Sequence, residues 1–177
     1  YRNVHVIVTE NTYIPVWGTY ITTPTATKEF AKVNVQTKIV LPEGADASKY
    51  SVKTSVWNPN GQKLTEQTIP LSQIKYNDNS LSQEFIIQTP TLWSPDMPAL
   101  YSAETRLYEG DQLKDIYTTP FGIRSIEIIP NKGFFLNGEK TVFKGVCNHH
   151  DLGPLGAAVN DAAIRRQIRI LKDMGCN

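Results

Sequence analysis

The chain has 177 residues, and its 18 Lys and Arg residues against 17 Asp and Glu residues leave a formal net charge of only +1 at pH 7. Neither sign of charge forms a long run, which argues against a nucleic-acid partner or an anionic membrane surface. The longest apolar runs have only a few residues, far fewer than the roughly 20 that span a bilayer. We therefore expect neither nucleic acid nor membrane among its partners.

Most of the chain alternates apolar and polar residues in the way expected of half-buried antiparallel strands. The clearest runs are residues 31–41 and 50–57, the second ending in the turn signal Asn58-Pro-Asn-Gly61. Further strands are predicted at residues 4–8, 17–22, 81–87, 101–107 and 113–117. About seven short strands at this spacing predict an immunoglobulin-like antiparallel β-sandwich without a core disulfide. Gln83 interrupts the apolar face of its strand, which we interpret as a position near a sheet edge.

A different pattern begins after a short connector at residues 130–133. Residues 134–143 predict a β-hairpin around Asn137-Gly138, the strongest two-residue hairpin turn. We expect its second arm to continue as a strand to Cys147. A helix then follows, which Asn160 or Asp161 can cap and Gly175 can end. Its apolar residues share one face, at Ile164, Ile168 and Leu171.

The two cysteines, Cys147 and Cys176, are not a disulfide framework. In a βα unit they would lie at opposite ends of the strand layer, because one ends the strand and the other follows the helix. We predict that both thiols are free and buried.

The most reactive cluster of side chains is His149, His150 and Asp151, directly after the predicted strand. In α/β folds, ligands collect at the carboxyl ends of the strands. Metal ligation would need a further ligand, because adjacent residues of an extended chain point to opposite sides. Alternatively, one imidazole is satisfied by the backbone and the other is exposed, or the cluster contacts a substrate through a histidine donor and the Asp151 acceptor. The residues alone leave these hypotheses open.

Five segments in one order carry a family resemblance: YRNVHVI (residues 1–7), LWSPDMPALY (92–101), TPFGIR (119–124), GFFLNG (133–138) and KGVCNHH (144–150). This set resembles glycoside hydrolase family 2, which contains β-galactosidases, β-glucuronidases and β-mannosidases. The family combines a jelly-roll domain, an immunoglobulin-like sandwich and a catalytic (β/α)8 barrel. The resemblance implies a mainly β chain, with residues 1–128 as the sandwich with its entry linker and residues 129–177 as the first βα unit of a truncated barrel.

The resemblance also implies how the residues are used. Family members are retaining glycosidases with two catalytic glutamates that lie beyond Asn177, so this fragment is expected to contain no catalytic residue and to be inactive. A histidine after the first barrel strand lines the sugar pocket, and alignment through Lys144-Gly-Val146 places it at His149. We therefore assign substrate contact to His149, His150 and Asp151. Trp93 and Arg124 are expected to be structural.

The partner implied for the parent enzyme is a β-linked oligosaccharide substrate, and we expect a homo-oligomer. No organic cofactor is expected, although some family members use a divalent or monovalent cation, and no metal ligand is assigned here. Asn148 and His150 differ from the better-known β-galactosidases, so the sugar stays open. The compartment also stays open, with a periplasmic or secreted location favoured over a cytoplasmic one.

A function of another class remains. The sandwich would then be a stand-alone carbohydrate-binding or protein-interaction module. Exposed aromatic side chains on one sheet face would favour this alternative, but Trp17, Trp57 and Trp93 lie on different segments and form no obvious row.

Overall fold

The computed structural model describes residues 4–73, 80–149, 151–158 and 160–177. It contains two compact units: a larger unit, Thr9–Glu139, and a smaller unit formed by Lys140–Asn177 with residues 4–8. The sequence-based boundary between residues 128 and 129 falls inside a strand of the larger unit, Ile126–Ile129. The division into a sandwich domain and a barrel domain stays a prediction. Among the described residues, no helix has the length and apolarity needed to cross a membrane.

The larger unit contains an antiparallel β-sandwich, which confirms the predicted fold class of a mainly β chain. In the described part of the chain, its two sheets have the strand orders β1-β2-β5 and β4-β3-β6-β7. All neighbouring strands in these sheets are antiparallel. The strands are β1 (Thr19–Ala26), β2 (Phe30–Lys38), β3 (Tyr50–Trp57), β4 (Lys63–Pro70), β5 (Ser80–Gln88), β6 (Tyr101–Glu109) and β7 (Gln112–Phe121).

One predicted strand is absent, and one strand of the sandwich was not predicted. Residues 4–8 form no strand, and their valines are highly exposed, with Val4 and Val8 each 89% accessible. Residues 63–70, which were not predicted, form β4 at the outer edge of the four-stranded sheet. Most of β4 is exposed, so its sequence has little of the apolar alternation that reveals a half-buried strand.

A belt of polar side chains crosses the middle of the sandwich core. On each of four strands one inward residue is polar and buried, and together these four residues are called the polar belt: Thr37, Thr54, Gln83 and Thr105. The belt residues separate members of one apolar cluster from members of the other. Gln83 lies on an outer strand of its sheet, as predicted, but its side chain faces the core.

Hydrogen bonds satisfy most of the polar belt. Thr54 donates to Gln83 Oε1 at 2.6 Å, and the Gln83 amide donates to the backbone carbonyl of Gln67 at 3.0 Å. The hydroxyl groups of Thr54 and Thr105 lie 3.2 Å apart. These hydrogen bonds join the two sheets. Because each one needs a particular donor opposite a particular acceptor, they specify how the sheets pack more definitely than apolar contacts do.

A small third sheet follows the sandwich, with β8 (Ile126–Ile129), β9 (Gly133–Leu136) and β10 (Glu139–Lys140). The hairpin around Asn137-Gly138 is confirmed, and φ is positive at both residues (53° and 80°), as a type I′ turn requires. Its second arm does not continue to Cys147, which corrects the predicted strand, since residues 141–149 belong to no sheet of the described chain. The reason is that β9 has only four residues, which limits the length over which the second arm can form strand hydrogen bonds with it.

The described part of the smaller unit contains one α-helix, α1 (Asp161–Asp173), which begins and ends as predicted. Asn160 Oδ1 accepts a hydrogen bond from the Ala163 N–H at 3.0 Å and so caps the first turn. At the other end, Gly175 has a φ of +91°, and the N–H groups of Gly175 and Cys176 donate to the carbonyls of Lys172 and Leu171. These two bonds form a Schellman motif.

Candidate functional site

The predicted site residues lie on an exposed segment of the smaller unit. The side chains of His149 and Asp151 are both exposed. His150, the third predicted contact, lies outside the described residues. The structure therefore places two of the three predicted residues at solvent, where a ligand can reach them, and both stay predictions as substrate contacts.

Asp151 also organises the loop that follows it. Its Oδ1 accepts a hydrogen bond from the Gly153 N–H at 3.0 Å, and the Leu152 N–H donates to the Gly156 carbonyl at 2.9 Å. Gly153 and Gly156 have φ values of +64° and +56°, a conformation that glycine adopts without strain. The loop is thus closed on itself. A carboxylate offers about four acceptor positions, so this bond leaves Asp151 able to accept from a ligand hydroxyl.

Asn177 fastens the segment that leads to His149. Its backbone N–H donates to the Lys144 carbonyl at 3.0 Å, and its Oδ1 accepts from the Lys144 N–H at 2.9 Å. The Asn177 side-chain amide also donates to the Val142 carbonyl at 2.9 Å. The residue that follows the Schellman motif of α1 therefore holds the chain that precedes the helix. No local sequence pattern predicts this role of Asn177.

The cysteines are free, as predicted, but the expectation that both are buried is wrong. Cys147 is exposed and Cys176 is only partly buried. Residues 141–149 join no sheet of the described chain, so no neighbouring strand covers the Cys147 thiol.

The described residues do not bring three His, Cys, Asp or Glu side chains together as a cluster that could hold a metal ion. His149 and Asp151 have suitable donor atoms, but zinc sites take at least three protein ligands. We assign no metal ligand among these residues.

The motifs around Trp93, Arg124 and Asn137 meet in the larger unit. The guanidinium carbon of Arg124 lies 5.0 Å from the centroid of the Trp93 ring, a cation–π distance. A Cβ atom at Gly122 would come within 3.0 Å of the Trp93 side chain, so only glycine fits there without a shift. The Asn137 amide donates to the Trp93 carbonyl at 3.0 Å, while Asn137 Oδ1 accepts from the Ser125 N–H at 3.1 Å.

These contacts give the motifs at residues 92–95, 121–124 and 137–138 a common structural purpose. Together they hold the turn between β9 and β10 on the segments that precede β6 and follow β7. None of the contacts involves His149 or Asp151, and the structure gives Trp93 and Arg124 packing partners.

Comparison with known proteins gives a consistent picture. The model of the family "Glycosyl hydrolases family 2" matches residues 12–124. The β-galactosidase BoGH2A of Bacteroides ovatus is 38% identical over the whole chain, which covers 21% of that protein. A β-glucuronidase of Bacteroides fragilis is 28% identical over the whole chain, which covers 26% of it.

Solved structures that resemble this chain belong to the same family as these relatives. A glycosyl hydrolase family 2 member from Bacteroides cellulosilyticus superimposes with a TM-score of 0.85 and 34% identity, over 96% of this chain and 22% of that one. The chain thus spans about a fifth to a quarter of the length of the relatives that it matches.

Proposed function

Since the chain belongs to glycosyl hydrolases family 2, we propose that it works as part of a longer retaining glycosidase that hydrolyses terminal β-linked sugars, with β-galactosides as the preferred class. The observation that carries the proposal is the alignment of all 177 residues with the β-galactosidase of Bacteroides ovatus, at 38% identity. The relatives include β-glucuronidases as well, so the choice of β-galactosides rests on the higher identity to the galactosidase.

In this proposal His149 lies in the sugar pocket. A neutral imidazole donates one hydrogen bond to a sugar hydroxyl, and the Asp151 carboxylate accepts one from a neighbouring hydroxyl. The exposure of both side chains and the closed glycine loop at residues 153–156 support this role, because a ligand can approach them closely. Hydrogen bonds to sugar hydroxyls that strengthen in the oxocarbenium-like transition state accelerate hydrolysis.

The two carboxylates that break the glycosidic bond come from elsewhere in the longer protein. In a retaining enzyme they lie about 5–5.5 Å apart, one as general acid and base and the other as nucleophile. We assign neither role to an acidic residue of this chain. The 177-residue chain by itself is therefore expected to be inactive.

The test is hydrolysis of aryl β-galactosides, β-glucuronides and β-mannosides by the full-length protein and by the 177-residue chain. The full-length protein should cleave the galactoside fastest, and proton NMR at early times should show the β-anomer of the free sugar first. If the full-length protein cleaves none of the three, or releases the α-anomer first, the proposal fails. Hydrolysis by the 177-residue chain would overturn the assignment of the carboxylates.

A further inference from the structure

A cleft on the outer face of the four-stranded sheet has the size and the lining of a binding site. It has a volume of about 380 Å³, within the range of about 300–1,000 Å³ found for ligand pockets. Eight residues line it: Trp57, Asn58, Pro59, Gly61, Leu100, Ser102, Glu104 and Thr118. We call it the Trp57 cleft.

The strand register explains why these side chains meet. Trp57 pairs with Ser102, and Glu104 pairs with Thr118 on the next strand. Because side chains alternate across a strand, these residues point away from the core, whereas their neighbours Val56 and Ala103 are buried in it. Trp57 belongs to neither apolar cluster of the core, so its large side chain is not needed to fill the sandwich.

One wall of the cleft is rigid before any ligand arrives. It is the turn between β3 and β4, in which Asn58 Oδ1 accepts from the N–H groups of Asn60 and Gln62, at 3.0 and 2.9 Å. The Gly61 N–H donates to the Asn58 carbonyl at 3.0 Å, and the Asn58 N–H donates to the Gln62 carbonyl at 2.9 Å. A preformed wall lowers the entropy lost on binding.

The lining combines apolar surface with hydroxyl and carboxylate groups. The indole of Trp57 and the side chains of Pro59 and Leu100 are apolar, while Ser102 and Thr118 can both donate and accept hydrogen bonds. Glu104 is a strong acceptor, and its Oε1 already pairs with Arg106 Nε at 2.8 Å. This pairing reduces the field of the one charged group in the lining, so the cleft suits a neutral ligand.

A pyranose has the complementary chemistry, with an apolar face of C–H groups and a rim of hydroxyls that donate and accept. We propose that the Trp57 cleft binds a neutral pyranose unit of a β-linked saccharide, with the Trp57 indole as its apolar platform and Ser102, Glu104 and Thr118 as hydroxyl partners. This inference concerns the sandwich itself and does not rest on the proposed hydrolase activity.

The experiment titrates the 177-residue chain with lactose and cellobiose, two neutral β-linked disaccharides. Heteronuclear NMR follows the indole N–H signals and the backbone amide signals of Ser102 and Thr118, which remain observable when Trp57 is replaced. The Trp57 signal should shift in a saturable way, with a dissociation constant in the millimolar range because the cleft is open. Glucuronic acid should bind more weakly than glucose, the neutral monosaccharide of the same size, since its carboxylate meets the Glu104 carboxylate. Tighter binding of glucuronic acid than of glucose would overturn the proposal that the ligand is neutral.

Matched variants separate the site from general effects. Trp57→Ala should weaken disaccharide binding by about tenfold or more, and Trp57→Phe should retain most of it. Trp17→Ala, which removes an 88% exposed tryptophan outside the cleft, should leave binding unchanged. Circular dichroism checks that each variant is folded. If Trp57→Ala does not fold, a complete loss of disaccharide binding in folded Trp57→Phe would overturn the proposal. No shift at tens of millimolar disaccharide, or shifts that persist in Trp57→Ala, would overturn the proposal.

Discussion

The side-chain amide of Asn137 donates a 3.0 Å hydrogen bond to the backbone carbonyl of Trp93, 44 residues earlier in the chain. The Asn137 Oδ1 accepts from the Ser125 N–H at 3.1 Å, and the Asn137 N–H donates to the Ser125 carbonyl at 3.0 Å. One turn residue thus connects the small sheet of β8–β10 to the segment before β6 and to the segment after β7.

Replacing Asn137 by glycine isolates the two side-chain bonds. Glycine adopts the φ of +53° at this position without strain, so Asn137→Gly removes the bonds and keeps the turn. The free energy of unfolding should fall by about 1–3 kcal/mol, the cost of leaving partly buried polar groups unpaired. Urea denaturation measures the change.

The control is Asn131→Gly in the turn between β8 and β9, where φ is +64°. This exposed substitution should change the free energy of unfolding by no more than about 0.5 kcal/mol. Equal effects of the two substitutions would show that Asn137 contributes only its backbone conformation.

The polar belt allows a comparison of two buried threonines. Thr37 and Thr54 are both fully buried, and Thr54 donates to Gln83, whereas Thr37 Oγ1 has no hydrogen-bond partner among the described residues. Valine has nearly the same shape as threonine. Thr37→Val should therefore raise the free energy of unfolding by about 1 kcal/mol, and Thr54→Val should lower it by about 1–3 kcal/mol.

Thermal and urea unfolding of the two valine variants, measured under the same conditions, give the two changes in the free energy of unfolding. Each variant is the other's control, because both remove one hydroxyl from the same layer of the core. A loss of stability in Thr37→Val as large as that in Thr54→Val would mean that the Thr37 hydroxyl is satisfied in solution.

Glu66 on β4 makes stability depend on pH. Hydrogen bonds from Lys63 first, and from Lys53 second, lower the pKa of its carboxyl to about 2, with the two Nζ atoms at 2.8 and 3.0 Å. Because the folded-state pKa lies below the ordinary value of 4.5, the stabilisation is present above pH 4.5 and is lost as the pH falls towards 2. Glu66→Gln should remove this part of the pH dependence.

Carbon-detected NMR of the Glu66 carboxyl gives its pKa directly, and urea denaturation between pH 2 and pH 7 gives the stability profile. Glu127→Gln on β8 is the control for the loss of one exposed negative charge on a strand. A Glu66 carboxyl that titrates near 4.5 would contradict the assignment of both lysine contacts.

Asn177 should control the opening of the segment before His149. Asn177→Ala removes the side-chain bonds to Lys144 and Val142 but keeps the backbone N–H. The amide of Lys144 should exchange about tenfold faster, the factor that about 1.4 kcal/mol gives, while the amide of Val35 in β2 keeps its rate. An unchanged rate at Lys144 would mean that the Asn177 side chain does not hold this segment in solution.

Alternation of apolar and polar residues predicted the sandwich well where strands are buried on one face. Residues 31–38, 50–57 and 101–107 were found because their inward positions are almost fully buried. Residues 63–70 were missed because an edge strand exposed on most positions has no such period. Residues 4–8 show that β-branched residues alone do not make a strand, since a strand also needs a hydrogen-bonded neighbour.

Local signals at turns and helix ends were equally dependable. The turn at Asn137-Gly138, the cap at Asn160 and the glycine at 175 depend on short-range geometry that the sequence displays directly. The hydrogen bonds of Asn137 to Trp93 and of Asn177 to Lys144 join residues far apart in sequence. No periodic pattern of apolar and polar residues predicts such long-range hydrogen bonds. The Trp57 cleft was missed for the same reason, because its walls come from three strands.

The central claim is that this chain contributes His149 to the sugar pocket of a glycosidase. The most direct measurement is kcat/KM of the full-length protein for an aryl β-galactoside, with His149→Ala compared with His5→Ala, which removes another exposed histidine. His149→Ala should lower kcat/KM by about 10²-fold or more with folding preserved, the usual effect of removing a donor that stabilises the transition state, and His5→Ala should leave it unchanged. Unchanged activity in a folded His149→Ala variant would contradict the claim.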